Sequence, residues 1–324
     1  MKLVSLLTIA VMLMSTGCSK KQPLENITVL LDWTPNTNHT GLYVAEALGY
    51  FAEEGLNVTI MQPSEGTASS LVASGKAQFG FSYQEEVTYA LTADAPLPIK
   101  AIATVLQHNT SGFASPTEKK IMEPRDFEGK RYGGWGSPME EMMLRDLMKR
   151  TGGSYDKITM VNIGASDYFT AIRKDIDFGW IFYGWDGIQA EVRNIKLNFT
   201  FLKDIDPVYD YYTPVIITNN DTITSNPALI KRFLRALSKG YAYAAAEPDK
   251  AAELLIKAVP EFSSNKEFII ASQRYLSVKY KDDAVKWGLM KKETWERFGA
   301  WMFTNKLVSR PFVPENAFTN EYLP

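Results

Sequence analysis

What most narrows the fold is a rhythm. Between residues 27 and 193, short runs rich in apolar and β-branched residues alternate with stretches of helical periodicity. Residues 27–31, 57–61, 77–82 and 99–105 read as strands, with helices expected at 41–54, 67–73 and 85–91 between them. The rhythm then repeats, with strands at 130–133, 158–162 and 177–182 and helices at 138–150, 167–173 and 187–193. From residue 226 onward the chain reads as helical, at 227–246, 248–259, 266–276 and 293–305, and Pro227 and Pro248 stand at first helical turns, where a missing N–H costs nothing. Alternation of this kind builds βα units and a mostly parallel sheet, an α/β fold. At 324 residues the chain exceeds what one hydrophobic core usually supports, so two lobes are expected.

The predicted layout is lobe, crossover, lobe and return. Residues 27–110 and 216–324 form lobe 1 and residues 111–215 form lobe 2. The crossovers fall near Thr110-Ser111-Gly112-Phe113 and Tyr211-Tyr212-Thr213-Pro214-Val215, small β-prone segments suited to a hinge. Ahead of lobe 1, Lys2, an apolar run from Leu3 to Met14 and the small residues Ser15-Thr16-Gly17 make residues 1–17 a secretory signal too short to span a bilayer. Cys18 follows where a polar tether begins, and the segment looks like a bacterial lipobox in which that cysteine is lipidated, with residues 18–26 as tether. The usual leucine three residues before the cysteine is here Ser15. Each acyl CH2 buried in a bilayer contributes about 0.8 kcal/mol, so several chains on Cys18 make a stable anchor on the extracytoplasmic face.

Composition excludes several functions. Basic and acidic residues nearly balance, 35 against 37, and no long basic run follows Lys21, so nucleic acid is not an expected partner. One cysteine rules out a disulfide framework, and with only two histidines no metal site is expected. What stands out is the aromatic content of 7 Trp, 16 Tyr and 17 Phe.

In parallel α/β sheets ligands bind beyond the carboxyl ends of the strands, so chemistry is sought there. The first such segment supplies Trp33, Asn36 and Asn38, and the third strand ends at Tyr83-Gln84-Glu85-Glu86. The second lobe supplies Trp135 and Ser137 within Gly133-Gly134-Trp135-Gly136-Ser137, then Tyr183, Trp185 and Glu191. Trp33, Tyr83, Trp135, Tyr183 and Trp185 are the aromatic candidates for stacking on a planar heterocycle. Asn36, Asn38, Ser137 and Glu191 are the candidates for reading its edge. Each has a plainer reading: Trp33 as a core cap, Tyr83 as a solvated helix start, Glu191 as a surface charge, His39 and His108 as structural residues. The glycines around Trp135 carry no lysine of a phosphate loop and are expected to let the backbone approach a flat ligand. Glu85-Glu86 and Glu140-Glu141 are adjacent on helices and diverge, so neither is a paired acid–base site, and no catalytic residue is assigned.

The segments Leu31-Asp32-Trp33-Thr34-Pro35-Asn36-Thr37-Asn38-His39-Thr40-Gly41, Gly49-Tyr50-Phe51, Gly129-Lys130-Arg131-Tyr132-Gly133-Gly134-Trp135-Gly136-Ser137-Pro138 and Phe318-Thr319-Asn320-Glu321-Tyr322-Leu323 resemble the thiamine-pyrimidine-precursor family over essentially the whole mature chain. The resemblance is nearest to solute-binding lipoproteins of ABC importers for formylaminopyrimidine. It implies a two-lobe periplasmic-binding-protein fold of type II with the ligand between the lobes. The implied partners are an ABC permease with its ATPase and the membrane through the lipid anchor, and no cofactor is implied. Two ligands are implied in the first place, N-formyl-4-amino-5-aminomethyl-2-methylpyrimidine and hydroxymethylpyrimidine. Related binders take riboflavin instead. The superfamily also holds a fungal enzyme that builds the pyrimidine from pyridoxal phosphate and its own histidine, using a lysine, a histidine four residues later and a cysteine cluster. Here Ser82 and Glu86 stand at the lysine and histidine positions and the chain has one cysteine, departures that favour binding over catalysis.

Overall fold

The computed structural model describes residues 23–164 and 167–324. The signal segment and the lipidation candidate Cys18 lie outside the described residues.

Among the described residues, ten strands form two five-stranded sheets. Strands β1 (Glu25–Leu30), β2 (Leu56–Met61), β3 (Phe79–Ser82) and β4 (Ile99–Thr104) belong to the first. Strands β5 (Ser111–Pro116), β6 (Arg131–Gly134), β7 (Thr159–Asn162), β8 (Phe178–Phe182) and β9 (Leu197–Phe201) make the second, and β10 (Val215–Asn219) returns to the first. The orders are β2-β1-β3-β10-β4 and β7-β6-β8-β5-β9, the same pattern twice. In each sheet the strand made by a crossover is inserted antiparallel between its neighbours: β10 between β3 and β4, β5 between β8 and β9. The other four strands of each sheet run in one direction. The sheets are therefore mixed, and at each expected hinge the chain enters an interior strand, β5 from Ser111 and β10 from Val215. Their short β-prone runs gain hydrogen bonds on both edges there, which exposed linkers would not.

Helices match the expected positions with one break. The stretch 41–54 is split into Thr40–Ala47 and Tyr50–Glu53, because Gly49 takes a left-handed conformation with φ 76°. Downstream, the helix Pro227–Ala246 lays Phe233 on the first sheet, its ring stacked 3.9 Å from Phe79. In the second lobe Phe113, Tyr132, Met143 and Phe178 form the corresponding core against the helix Pro138–Thr151.

The C-terminal helices serve both lobes. Leu255 and Ile269, from Pro248–Ala258 and Lys266–Ser277, bury Ile188 of the second lobe. On the other flank, Phe298 and Trp301 of Lys292–Thr304 pack with Tyr211 and Tyr209, and Trp301 Nε1 donates to Asp146 Oδ2 at 2.8 Å. Trp287, Trp295 and Trp301 are all buried.

The two crossovers are tied to each other. Asn109 donates its backbone N–H to Asp210 Oδ1 at 2.9 Å and its side-chain amide to the Tyr209 carbonyl at 2.9 Å. His108 Nδ1 lies 2.6 Å from Asp210 Oδ2, and that hydrogen bond raises the imidazole above its ordinary value.

A close helix crossing fixes the first lobe. A Cβ on Gly240 would overlap the Gly41 carbonyl oxygen, and one on Gly41 would overlap the Tyr241 ring. Gly240→Ala is expected to lower stability by about 1–3 kcal/mol, as overpacking does, seen as a lower urea midpoint. An unchanged midpoint would mean that the crossing yields without cost.

Candidate functional site

The carboxyl ends of the two sheets open onto one cleft of about 840 Å³. Its walls follow from the topology. The segments after β1 and β3 supply Asp32, Trp33, Asn36, Thr37 and Asn38, then Tyr83, Glu85 and Glu86; those after β6, β7 and β8 supply Trp135, Ile163, Gly164, Asp167 and Gly184 to Asp186, and the crossovers add Thr110, Tyr211, Thr213 and Pro214. Both lobes therefore face the same space.

Of the nine residues expected at the site, six line this cleft: Trp33, Asn36, Asn38 and Tyr83 from the first lobe, Trp135 and Trp185 from the second. Trp33 is 55% exposed and Trp135 48%, unusual for tryptophan and suited to receiving a flat surface. Asn36 spends its amide on its own loop: Oδ1 accepts from the Asn38 N–H at 2.9 Å and Nδ2 donates to the Thr34 carbonyl at 3.0 Å. Asn38 Oδ1, by contrast, is buried with no partner in the protein. Trp185 packs edge-on against Phe268, centroids 4.6 Å apart.

Three expected residues do not line the cleft. Ser137 caps the helix Pro138–Thr151, its Oγ accepting from the Glu140 N–H at 3.2 Å. The buried Glu140 side chain reaches back to the N–H groups of Ser137 and Trp135 and accepts from Tyr132 OH at 2.7 Å, so this capping box holds the Trp135 loop rather than a ligand. Tyr183 and Glu191 satisfy each other, the phenol donating to Glu191 Oε1, and the Tyr183 ring packs on Phe199 and Tyr275. The cause is the π-helical turn Tyr183–Gly187, which aims Trp185 and Asp186 into the cleft and carries Tyr183 out of it. The glycines before Trp135 also have another purpose. A Cβ on Gly133 would strike Ile176 and one on Gly134 would strike the Glu140 carboxylate, so they are small for packing against protein.

His39 is structural: fully buried, it holds Asp32 Oδ1 at 2.7 Å and receives the Asn36 N–H at Nδ1. Ser82 Oγ donates to Glu86 Oε2 at 2.7 Å.

Several cleft residues escaped the sequence reading. Trp180, 7% exposed, lies behind Trp135 with ring centroids 5.3 Å apart, and its Nε1 has no partner in the protein. Tyr89 OH is buried and unpaired as well, and Tyr168 and Tyr211 complete the wall. Trp180 is the central residue of β8, upstream of the strand end where the sequence pointed, and Tyr89 and Tyr211 reach the cleft through packing alone. Glu85 and Asp186 were missed as lining groups too. Burial pushes the Glu85 carboxyl up to about 7, with the Glu86 and Glu140 charges adding to it. Burial pushes Asp186 up to about 6, with backbone hydrogen bonds opposing and the Asp167 charge assisting.

Residues 36–251 match the protein family described as NMT1/THI5 like. The formylaminopyrimidine-binding protein of Halalkalibacterium halodurans is 30% identical to this chain over 98% of each. The 4-amino-5-hydroxymethyl-2-methylpyrimidine phosphate synthase of Aspergillus parasiticus is 27% identical over 92% of this chain and 87% of its own length. The riboflavin-binding protein RibY of Chloroflexus aurantiacus is 25% identical over 98% of this chain and 97% of its own. Among solved structures, the alkanesulfonate-binding protein SsuA of Xanthomonas axonopodis pv. citri, bound to MOPS, superposes with a TM-score of 0.68 over 92% of this chain and 99% of its own, at 11% identity. The fold is thus the two-lobe α/β fold of periplasmic binding proteins.

Two outcomes test this geometry. Ser137→Ala is expected to cost about 1 kcal/mol of stability as a lost helix cap and to leave ligand affinity unchanged; a stable variant with weaker binding would return Ser137 to the site. Glu85 binds its proton more tightly folded than unfolded, so stability should fall as pH rises from about 4.5 to about 7. Glu85→Gln should flatten that fall and be the more stable form at higher pH. Denaturation midpoints across this range read the slope, and an unaltered slope contradicts the burial argument.

Proposed function

The chain belongs to the NMT1/THI5-like family, and from that premise we propose that it is an extracytoplasmic solute-binding protein of an ABC importer that captures a thiamine pyrimidine precursor. The ligand is N-formyl-4-amino-5-aminomethyl-2-methylpyrimidine or hydroxymethylpyrimidine, taken between lobe 1 (27–110 and 216–324) and lobe 2 (111–215) and delivered to the permease and its ATPase for salvage. Lipidation at Cys18 anchors the protein on the outer face of the cytoplasmic membrane.

One observation carries the reading. Nine aromatic side chains from both lobes surround a cleft whose fully buried unpartnered polar atoms, among the described residues, are an amide oxygen, an indole N–H and a phenol, on Asn38, Trp180 and Tyr89. Aromatic faces take a flat ring, while an acceptor and donors read its edge. A 4-aminopyrimidine offers an amino group to Asn38 Oδ1 and ring nitrogens to the Trp180 N–H. Binding then needs no bond to be made or broken.

Two rivals are separated by the residues of the cleft. A sulfonate needs cations or a cluster of N–H donors, and no lysine or arginine is among the described lining residues. Pyrimidine synthesis of the fungal type needs a lysine and a histidine where this chain has Ser82 and Glu86, which are hydrogen-bonded to each other. Riboflavin remains a second reading because a cleft of about 840 Å³ admits a three-ring isoalloxazine as well as a pyrimidine. Protein that carries a flavin is yellow as purified.

Calorimetry with the formylaminopyrimidine and with hydroxymethylpyrimidine tests the proposal: the protein should bind at least one, and heat from neither would end the ligand reading. Trp33→Ala should weaken binding at least about tenfold, or 1.4 kcal/mol, with little change in stability because the ring is half exposed. Unchanged affinity would remove Trp33 from the site.

A further inference from the structure

The cleft's charges are one-sided. Five carboxyl-bearing residues line it, Asp32, Glu85, Glu86, Asp167 and Asp186, and no lysine, arginine or histidine does so among the described residues. Most of these carboxyls already have work within the protein. Asp32 holds His39, Glu86 accepts from Ser82, and Asp167 accepts from the Thr170 N–H and hydroxyl. Asp186 receives backbone hydrogen bonds. Glu85 has no hydrogen-bond partner among the described residues, yet it sits on the wall beside Tyr83, Tyr89 and Tyr211. The second, independent feature is Trp180: more than nine-tenths buried, lining the same cleft from the second lobe, with an unpaired N–H.

A carboxylate in a partly dehydrated aromatic cleft is costly unless a positive charge faces it, and aromatic faces themselves attract cations. Resting on the function proposed above, and deepening it, we infer that the cleft takes its heterocycle as a cation, with Glu85 as the counter-charge and phosphorylated or carboxylated forms excluded. A basic ring nitrogen then donates to the Glu85 carboxylate in a charge-assisted hydrogen bond, while the ring lies against tryptophan. The proton balances without a co-reactant. A neutral base takes it from Glu85 when that carboxyl is protonated, or from solvent when it is not, and a permanent cation moves none.

Burial raises the Glu85 carboxyl to about 7, so near neutrality a proton is held inside the cleft, and pairing with the cation formed there offsets the burial that raised it. The groups facing Glu85 are Glu86 and Tyr89 from its own helix, Tyr83 just before that helix, Glu140 from Pro138–Thr151, and Tyr211 from the second crossover. All are acids or phenols, so a cation improves every pairing. The site selects by charge as well as by shape, which separates a dephosphorylated precursor from its phosphate ester.

The test uses the full chain and calorimetry at pH 7 with three probes: hydroxymethylpyrimidine, its analogue with trifluoromethyl in place of the 2-methyl group, and its phosphate ester. The trifluoromethyl group nearly preserves shape and removes ring basicity. It should bind about tenfold more weakly, and Glu85→Gln should shrink that difference to within about threefold. The phosphate ester should bind at least about a hundredfold more weakly. Equal affinity of the two pyrimidines for the natural chain, an unchanged ratio in Glu85→Gln, or tight binding of the phosphate ester would each overturn the inference. Binding of no pyrimidine would instead defeat the proposed function. The charge preference is then read from 1-methylnicotinamide, a permanent pyridinium cation, against nicotinamide; the cation must bind more tightly, and parity or no binding of either overturns it.

Discussion

The site depends on one exchange of backbone. Each crossover becomes an antiparallel strand inside the sheet it enters, β5 in the second and β10 in the first. Because the remaining strands of each sheet keep one direction, both sheets send their carboxyl ends toward the crossovers and hence toward each other. The bonds from Asn109 and His108 to Asp210 hold the two crossings side by side. Remove that exchange and the loops bearing Trp33 and Trp135 belong to two separate surfaces.

Upon this frame the local chemistry divides the work. Asn36, His39 and Asp32 bond among themselves and set the first loop, which leaves Trp33 and Asn38 Oδ1 free to face the cleft. Glu140 does the same for the second loop, holding the Trp135 N–H through a capping box. Polar side chains closest to the aromatic candidates are thus often supports, and the groups with spare hydrogen-bonding capacity stand one step away, on Asn38, Tyr89, Trp180 and Glu85.

That division explains how far the sequence could be read. Hydrophobic rhythm made β1 to β4 and the four C-terminal helices legible, since periodicity reports burial directly. Strand ends then led to Trp33, Tyr83, Trp135 and Trp185. Ser137, Tyr183 and Glu191 misled because the spacing gives a residue's neighbourhood and not its direction: a cap turns Ser137 inward, and one π-helical turn carries Tyr183 and its partner Glu191 away from the cleft. The strand role of β5 and β10 was hidden for a similar reason. The Ser-Gly start of β5 and the Thr213-Pro214 step before β10 read as hinges until the edges that pair with these strands are known. Glu85 was set aside as half of a diverging pair, whereas both carboxyls line the cleft; Ser82 occupies Glu86 and leaves Glu85 without a hydrogen-bond partner among the described residues.

The most direct measurement is mass spectrometry of the small molecule released when the protein, purified folded from cells, is denatured. An aminopyrimidine without a phosphate or carboxylate group is the predicted result, since it fits the aromatic walls, the Asn38 acceptor and the Glu85 carboxyl together. A released sulfonate or phosphate ester would contradict the account, because the described lining offers neither of them a cation.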